Sequence, residues 1–244
     1  MAGAGQCAVR CRCAGADACR RCDRVADRGR LNPSGLRHSG ASVPLPLPQD
    51  DPFHYSRLNL LRGDLWIFTY GSLMWDPGFR YARTVPALLR GYHRAFCIYS
   101  NRFRGTVSAP GLVLGLDHGG ACKGTAYKVA TGDVPAALEA LWQREMRRRV
   151  YVPRLLPVTV GAQRCVALTF LANRAHDGYA GRLAIDAAAA IIAACRGERG
   201  PNVDYLVNTL RHLDALGVHD HHLHRLLAAV RAVQAAGAGR HQRR

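Results

Sequence analysis

Apolar and polar positions divide this chain unevenly. From Met1 to about Gln49, large apolar residues are sparse and Arg, Gly, Ala and Ser dominate. Such a segment cannot bury enough surface to offset its ordering entropy, so 1–50 reads as a disordered tail. It ends in Val43 to Pro48, where prolines alternate with apolar residues as in a semi-rigid linker. A globular pattern begins near Asp64, within a domain placed at 51–236 and followed by a basic tail at 237–244. Leu65 to Tyr70 is an apolar, aromatic run that predicts a buried strand. Val85–Arg90 and Arg94–Ser100 predict two more strands, broken at Gly91-Tyr92. Leu112–Leu116 and Gly124–Val129 predict a pair joined through the turn sequence Asp117-His-Gly-Gly120. Tyr151–Val160 carries Pro153 and Pro157, which suits an edge or bulged strand. Cys165–Leu171 is β-rich and reads as central. The remainder is helical: Leu183–Cys195, Val203–Leu216 with Asn202 as cap, and a last helix capped by Asp220. Strands first and helices last give an α+β class.

Two places in this pattern carry candidate chemistry. The first strand stops abruptly at Gly71, where the missing Cβ permits a sharp turn and close approach to a ligand. Ser72 and the amides of Ser72 and Leu73 then face the space beyond the strand end. Successive N–H groups there can cradle a carboxylate or phosphate; an ordinary strand-to-turn junction has the same pattern. The second place is a helix beginning near Asp133, a suitable N-cap, with Pro135 in its first turn. Leu138, Leu141, Trp142 and Glu145 fall at i, i+3, i+4 and i+7 and share one face. Of the three glutamates, Glu139, Glu145 and Glu198, only Glu145 sits on that apolar stripe. A carboxyl so placed either pairs with Arg144, Arg147, Arg148 or Arg149, or has its pKa raised by desolvation and can exchange a proton near neutrality.

Composition narrows the classes. A formal net charge of +17 invites a nucleic-acid reading. Lys123 and Lys128 are the two lysines among 34 basic residues, so arginine supplies the other 32. Those arginines are spread over tail, loops and helices, and no recognition module is evident. A dedicated nucleic-acid partner is not expected. Five of the nine cysteines, Cys7, Cys11, Cys13, Cys19 and Cys22, lie in the tail. Their spacing does not give two separated zinc knuckles. Cys97, Cys122, Cys165 and Cys195 are scattered through apolar segments, unlike an extracellular disulfide framework. No apolar run is long enough to span a bilayer, and the first residues lack a signal-peptide core. A cytoplasmic protein with no membrane partner is expected.

Several short stretches, taken in order, change the picture. They are Phe68-Thr-Tyr-Gly-Ser-Leu-Met-Trp75, Arg94-Ala-Phe-Cys-Ile-Tyr-Ser100, Arg104-Gly105, Pro110-Gly111, Gly124-Thr-Ala-Tyr127, Arg144-Glu-Met146 and Gly200-Pro-Asn-Val-Asp-Tyr-Leu206. Together, from about Leu65 to Val233, the chain resembles the ChaC-like family of glutathione-specific γ-glutamylcyclotransferases. The resemblance implies a small, partly closed β-barrel flanked by helices, no cofactor, and glutathione as the small-molecule substrate. It implies that the turn Tyr70, Gly71, Ser72, Leu73, with neighbours Thr69 and Met74, holds the γ-glutamyl group. It makes Glu145 the proton carrier and Tyr179 a residue that closes the pocket. Arg102, Arg104, Arg147 or Arg148 could steer or clamp the glycine end. The basic, cysteine-rich tail is not a family feature, and Thr69 stands where glycine or alanine is common.

Other chemistries fail on spacing. Tyr70 to Leu73 lacks a Gly-x-Ser-x-Gly elbow, and there is no phosphate loop and no His-Glu-x-x-His zinc motif. His219, His221, His222 and His224 cluster near the last cap. On a helix only His219 with His222, or His221 with His224, could share a ligand. That cluster therefore reads as a solvated turn, and no metal is expected. Two alternatives to glutathione cleavage stay open: action on other γ-glutamyl amino acids or amines, and a non-catalytic basic binding module.

Overall fold

The computed structural model describes residues 54–58 and 63–241. The tail and linker readings lie outside the described residues. Five strands form one closed barrel: β1 (Leu65–Thr69), β2 (Arg83–Ser100), β3 (Gly111–Val129), β4 (Tyr151–Val160) and β5 (Gln163–Ala172), in the order β1-β3-β2-β4-β5. All neighbours are antiparallel except β5 and β1, whose parallel pairing (Trp66 with Ala167, Ile67 with Leu168) closes the ring. The barrel is thus closed rather than partly closed. Helix α1 (Val134–Leu141) follows β3. Helices α2 (Ile185–Ala194), α3 (Asn202–Ala215) and α4 (His221–His241) come last, with a two-residue hairpin of β6 (Arg196–Gly197) and β7 (Gly200–Pro201) between α2 and α3. Among the described residues no helix is long and apolar enough to cross a membrane.

β1 explains the architecture. Its residues alternate between two packed faces, so it reads as a continuous apolar run. Leu65 and Ile67 join α1 residues Leu138 and Leu141 in one cluster. Phe68 and Tyr70 join a larger cluster completed by Leu206, Leu210, Leu213, Leu223 and Val230 of α3 and α4. Trp142 is fully buried within the first of these clusters, edge-on to Phe170 with ring centroids 5.6 Å apart. Truncating it to alanine is expected to cost about 3–5 kcal/mol.

Several expectations need correction. The two strands assigned to 85–100 are one, because β3 supplies an unbroken partner from Arg83↔Lys128 to Ser100↔Gly111. Gly91, at φ +86°, marks a register shift in that ladder rather than an end. Likewise Asp117 to Gly120 is no hairpin. Gly119 (φ +101°) and Gly120 (φ +69°) sit inside the continuous β3, where residues able to turn a chain instead bulge it. β4 pairs along its length with β5 but only through Val158–Val160 with β2, so the stretch carrying Pro153 and Pro157 has one strand neighbour, as an edge does. Asp133 precedes α1 but makes no side-chain capping bond. Asn202 is not the cap of α3 either. Its side chain accepts from Leu112 N–H at 2.6 Å and donates to Leu112 C=O at 2.7 Å, latching α3 to the start of β3. Asp220 does cap α4, accepting from Leu223 N–H at 3.2 Å.

Candidate active site

The end of β1 and the end of α1 meet. After Tyr70 the chain enters a single 3-10 turn, Ser72–Met74, whose first internal bond runs from Met74 N–H to Gly71 C=O at 2.8 Å. The amides of Ser72 and Leu73 precede that bond, as the leading N–H groups of any helical turn do. Gly71 is closely approached: a Cβ there would lie 3.2 Å from the Tyr205 hydroxyl oxygen. α1 does not continue regularly past Leu141. Trp142–Met146 forms a π turn, the kind of widened turn that often re-aims a functional side chain. It carries Arg144 and Glu145.

Arg144 organises the junction. Its Nη2 donates to Ser72 Oγ at 3.0 Å, its Nη1 donates to Asp76 C=O at 2.6 Å, and its Nε lies 3.3 Å from Glu145 Oε1. One guanidinium therefore ties the serine of the turn to the carboxylate of the helix. The Glu145 side chain is 15% exposed, enough to be reached and too little to be well hydrated. Burial raises its pKa above the usual carboxylate range, and the Arg144 charge offsets this only in part. Its charge acts on Tyr70, Tyr151 and Tyr205, whose own pKa values are all raised, chiefly by burial. Tyr205 is pushed up to about 12, so it stays a neutral donor at physiological pH. The site is thus a carboxyl group that can hold or release a proton, walled by neutral phenols and facing a turn with leading amides and one serine.

The ChaC-like protein family model matches residues 65–233. The chain belongs to the ChaC-like family. The glutathione-specific gamma-glutamylcyclotransferase of Escherichia coli (strain K12) is 36% identical over 174 residues, covering 71% of this chain and 75% of that one. Glutathione-specific gamma-glutamylcyclotransferase 1 of Rattus norvegicus is 33% identical over 205 residues, covering 80% of this chain and 92% of the relative. A crystal structure of the glutathione-specific cyclotransferase from yeast matches with a TM-score of 0.66 at 20% identity, over 70% of this chain and 97% of that one. That last likeness is one of fold.

In this ChaC-like chain the residues named from sequence separate into two groups. Ser72 and Glu145 are brought together through Arg144, with Gly71 next to Ser72 in the turn. The other side chains of the turn are held by packing. Thr69 is fully buried and its hydroxyl donates to Thr125 C=O at 3.0 Å within the ladder. The Tyr70 hydroxyl donates to Phe170 C=O at 2.9 Å. Leu73 joins the α1 cluster, and Met74 joins the larger core while its carbonyl accepts from Tyr127 at 2.7 Å. Arg104 donates to the carbonyls of Arg199 (2.7 Å) and Pro201 (3.0 Å) and lies over the Tyr205 ring, so it braces the β6–β7 hairpin. Arg102 pairs with Glu198, and Arg148 donates to Tyr99 C=O. Tyr179 bridges to Ile98 beside β2 and donates to Asp117 Oδ2 at 2.9 Å. It lines a cleft of about 1050 Å³ to which Ser72, Arg144, Glu145 and Tyr205 do not contribute.

Sequence reasoning assigned no site role to Arg144, Tyr151, Tyr205 or Arg94. Arg94 is buried; its Nε donates to Tyr70 C=O at 2.8 Å, its Nη2 to Lys123 C=O at 2.6 Å, and its Nη1 reaches Asp220 at 3.3 Å. It anchors the last residue before the turn to β3 and to the cap of α4. A signal existed, since Arg94, Arg144 and Tyr205 all stand in the quoted stretches, but their partners are distant in sequence.

Proposed function

We propose that this protein cleaves the γ-glutamyl amide of glutathione, giving 5-oxoproline and cysteinylglycine, with Glu145 as proton carrier. The observation that carries the reading is the buried, pKa-raised carboxyl of Glu145, joined through Arg144 to Ser72 of the turn. The relatives from Escherichia coli and Rattus norvegicus, both glutathione-specific gamma-glutamylcyclotransferases, point to the same substrate.

The chemistry is intramolecular. The substrate's α-amino nitrogen attacks its own γ-carbonyl carbon, forming the ring C–N bond, and the bond from that carbon to the cysteinyl nitrogen breaks. No water is consumed. Holding the glutamyl arm folded replaces a bimolecular encounter and can supply up to about 7–11 kcal/mol of the barrier. An α-ammonium group is not a nucleophile, so Glu145 first accepts one of its protons. The attacking nitrogen loses a second proton as the ring forms. That proton and the one taken by Glu145 both end on the cysteinyl nitrogen, which leaves as the α-ammonium of cysteinylglycine, with Glu145 returning the one it took. Such general acid–base work contributes about 10²–10⁴-fold. The leading amides of the turn and Ser72 Oγ hold the α-carboxylate and the developing oxyanion, where each donor is worth about 10²–10³-fold. Tyr70, Gly71, Ser72 and Leu73 thus act mainly through their backbone. The four described cysteines are free thiols, in keeping with work in a reducing, cytoplasmic setting.

The test is direct. Purified protein is incubated with glutathione, and 5-oxoproline and cysteinylglycine are followed by mass spectrometry beside the Glu145→Gln variant. Release of both products by the wild type, with a loss of about a hundredfold or more in the folded variant, is the expected result. Greater activity on other γ-glutamyl donors reassigns the substrate. No product from any of them removes the enzyme reading.

A further inference from the structure

The corner between α3 and α4 brings together three side chains that the helical spacing rule keeps apart. His219 lies before α4, not on it, so its partner is neither of the expected ones. It faces His224 instead, with the two imidazoles stacked at 4.2 Å and 24°. Asp214, in the last turn of α3, completes the group. Its Oδ1 lies 3.2 Å from His224 Nε2 and 3.8 Å from His219 Nδ1. All three ligand atoms lie within 4.8 Å of one another.

We propose that this corner binds a borderline divalent transition-metal ion of the zinc class. The donor atoms of a tetrahedral zinc site, each about 2.0–2.1 Å from the metal, are roughly 3.3 Å apart. Two of the observed separations, 3.2 and 3.8 Å, lie near that figure, and the rings must turn out of their stack for both in-plane lone pairs to converge on one ion. Two imidazole nitrogens and one carboxylate oxygen suit zinc, nickel or cobalt and not the all-oxygen preference of calcium or magnesium. The electrostatics agree. One carboxylate oxygen faces two imidazole rings. A cation takes a lone pair from each neutral ring and faces the carboxylate charge as well.

The corner is also built to hold its shape. Gly217, at φ +68°, turns the chain, and Val218 N–H donates back to Leu213 C=O at 2.8 Å. Asp220 caps α4 and pairs with the buried Arg94. Leu213 and Leu223 on either side are fully buried. Three donors thus sit on a fixed frame, while the exposure of His219 (60%) and Asp214 (47%) leaves an entry path and room for a water as fourth ligand. Bound metal would staple α3 to α4 and leave Glu145 untouched.

The test uses the full chain with accessible thiols alkylated, so that the cysteines of residues 1–50 do not compete. Zinc chloride is titrated calorimetrically into the wild type and into His219→Ala, His224→Ala, Asp214→Asn and His222→Ala. The expected result is one saturable site per chain, weakened at least tenfold in the first three variants and unchanged in His222→Ala. At a hundredfold excess over Kd, zinc should raise Tm by about 5–10 °C in the wild type and in His222→Ala, and not in the other three. Equal zinc affinity in all five proteins overturns the proposal. So does an equal loss in His222→Ala, which would mark a histidine-rich surface without a built site. Asp214→Asn keeps the side-chain shape, so a folding defect in either histidine variant still leaves a decisive arm.

Discussion

Two carboxylates in this molecule have nearly the same inventory of neighbours and opposite characters. Asp117, on β3, and Glu145, on the π turn, are each largely buried beside an arginine and within reach of tyrosine. Burial pushes the Asp117 pKa up, but the Arg174 and Tyr179 side chains and the His118 N–H, all donating to it, outweigh that and hold it below its usual value. Arg174 Nε donates to Oδ1 at 2.7 Å, and His118 N–H and the Tyr179 hydroxyl each donate at 2.9 Å. Glu145 has an arginine nitrogen at 3.3 Å, and burial prevails. The difference lies in how many donors are aimed at the charge. A carboxylate surrounded by donors is a fixed anion. One surrounded by neutral phenols and apolar walls keeps its proton longer and can hand it on.

The largest way to break this comparison is to exchange each acid for its amide. Glu145→Gln should lower turnover of glutathione by about 10²–10⁴-fold, whereas Asp117→Asn should lower it by less than tenfold. Comparable losses in the two would end the distinction.

Their stabilities should move in opposite directions. Asp117→Asn removes hydrogen bonds to a charged group and should cost about 2–3 kcal/mol in urea denaturation at neutral pH. Glu145→Gln removes a poorly solvated charge and should raise Tm by roughly 2–4 °C, the shift expected per kcal/mol for a chain of this size. The pH dependence follows the same signs. For Glu145, whose pKa is raised on folding, the stabilising contribution is complete below the ordinary carboxylate range and is lost as pH rises through the raised value. For Asp117, whose pKa is lowered, the contribution is complete above the ordinary range and is lost as pH falls through the depressed value. Melting curves of the two variants against wild type from pH 4 to 8 would read both windows.

Arg144 is the sharper probe, because its charge opposes the burial that raises the Glu145 pKa. Arg144→Met should shift the acid limb of the kcat/KM profile to higher pH and reduce activity at neutrality by about tenfold or more, since it also frees Ser72. An unshifted limb would detach Arg144 from the proton carrier. The smallest effect is expected at Gly71. In Gly71→Ala the new methyl lies 3.2 Å from the Tyr205 hydroxyl, which must give way by a few tenths of an ångström. A loss of less than tenfold in kcat/KM, under about 1.4 kcal/mol, is expected, with partial recovery in the double variant carrying Tyr205→Phe.

By itself the sequence determined which residues seek burial and what chemistry they carry. The run from Leu65 to Tyr70 reads as a buried strand. The spacing of Leu138, Leu141, Trp142 and Glu145 put one acid on an inward stripe, and the ordered motifs named the family. Periodicity reports a residue's own preference, so these features survive without knowledge of partners. The tertiary structure decided everything that depends on a partner far along the chain. Gly91, Gly119 and Gly120 read as breaks, and a matching long strand turned them into irregularities of a continuous ladder. Asn202 read as a cap, and the buried amide and carbonyl of Leu112 claimed its side chain. Arg144 read as one of four arginines near Glu145, and the turn at Ser72 and Asp76 singled it out. His219 and His224 met across a helix corner that no helical spacing describes. In each case a polar group had to be satisfied once buried or brought close, and only the folded chain shows which group was within reach.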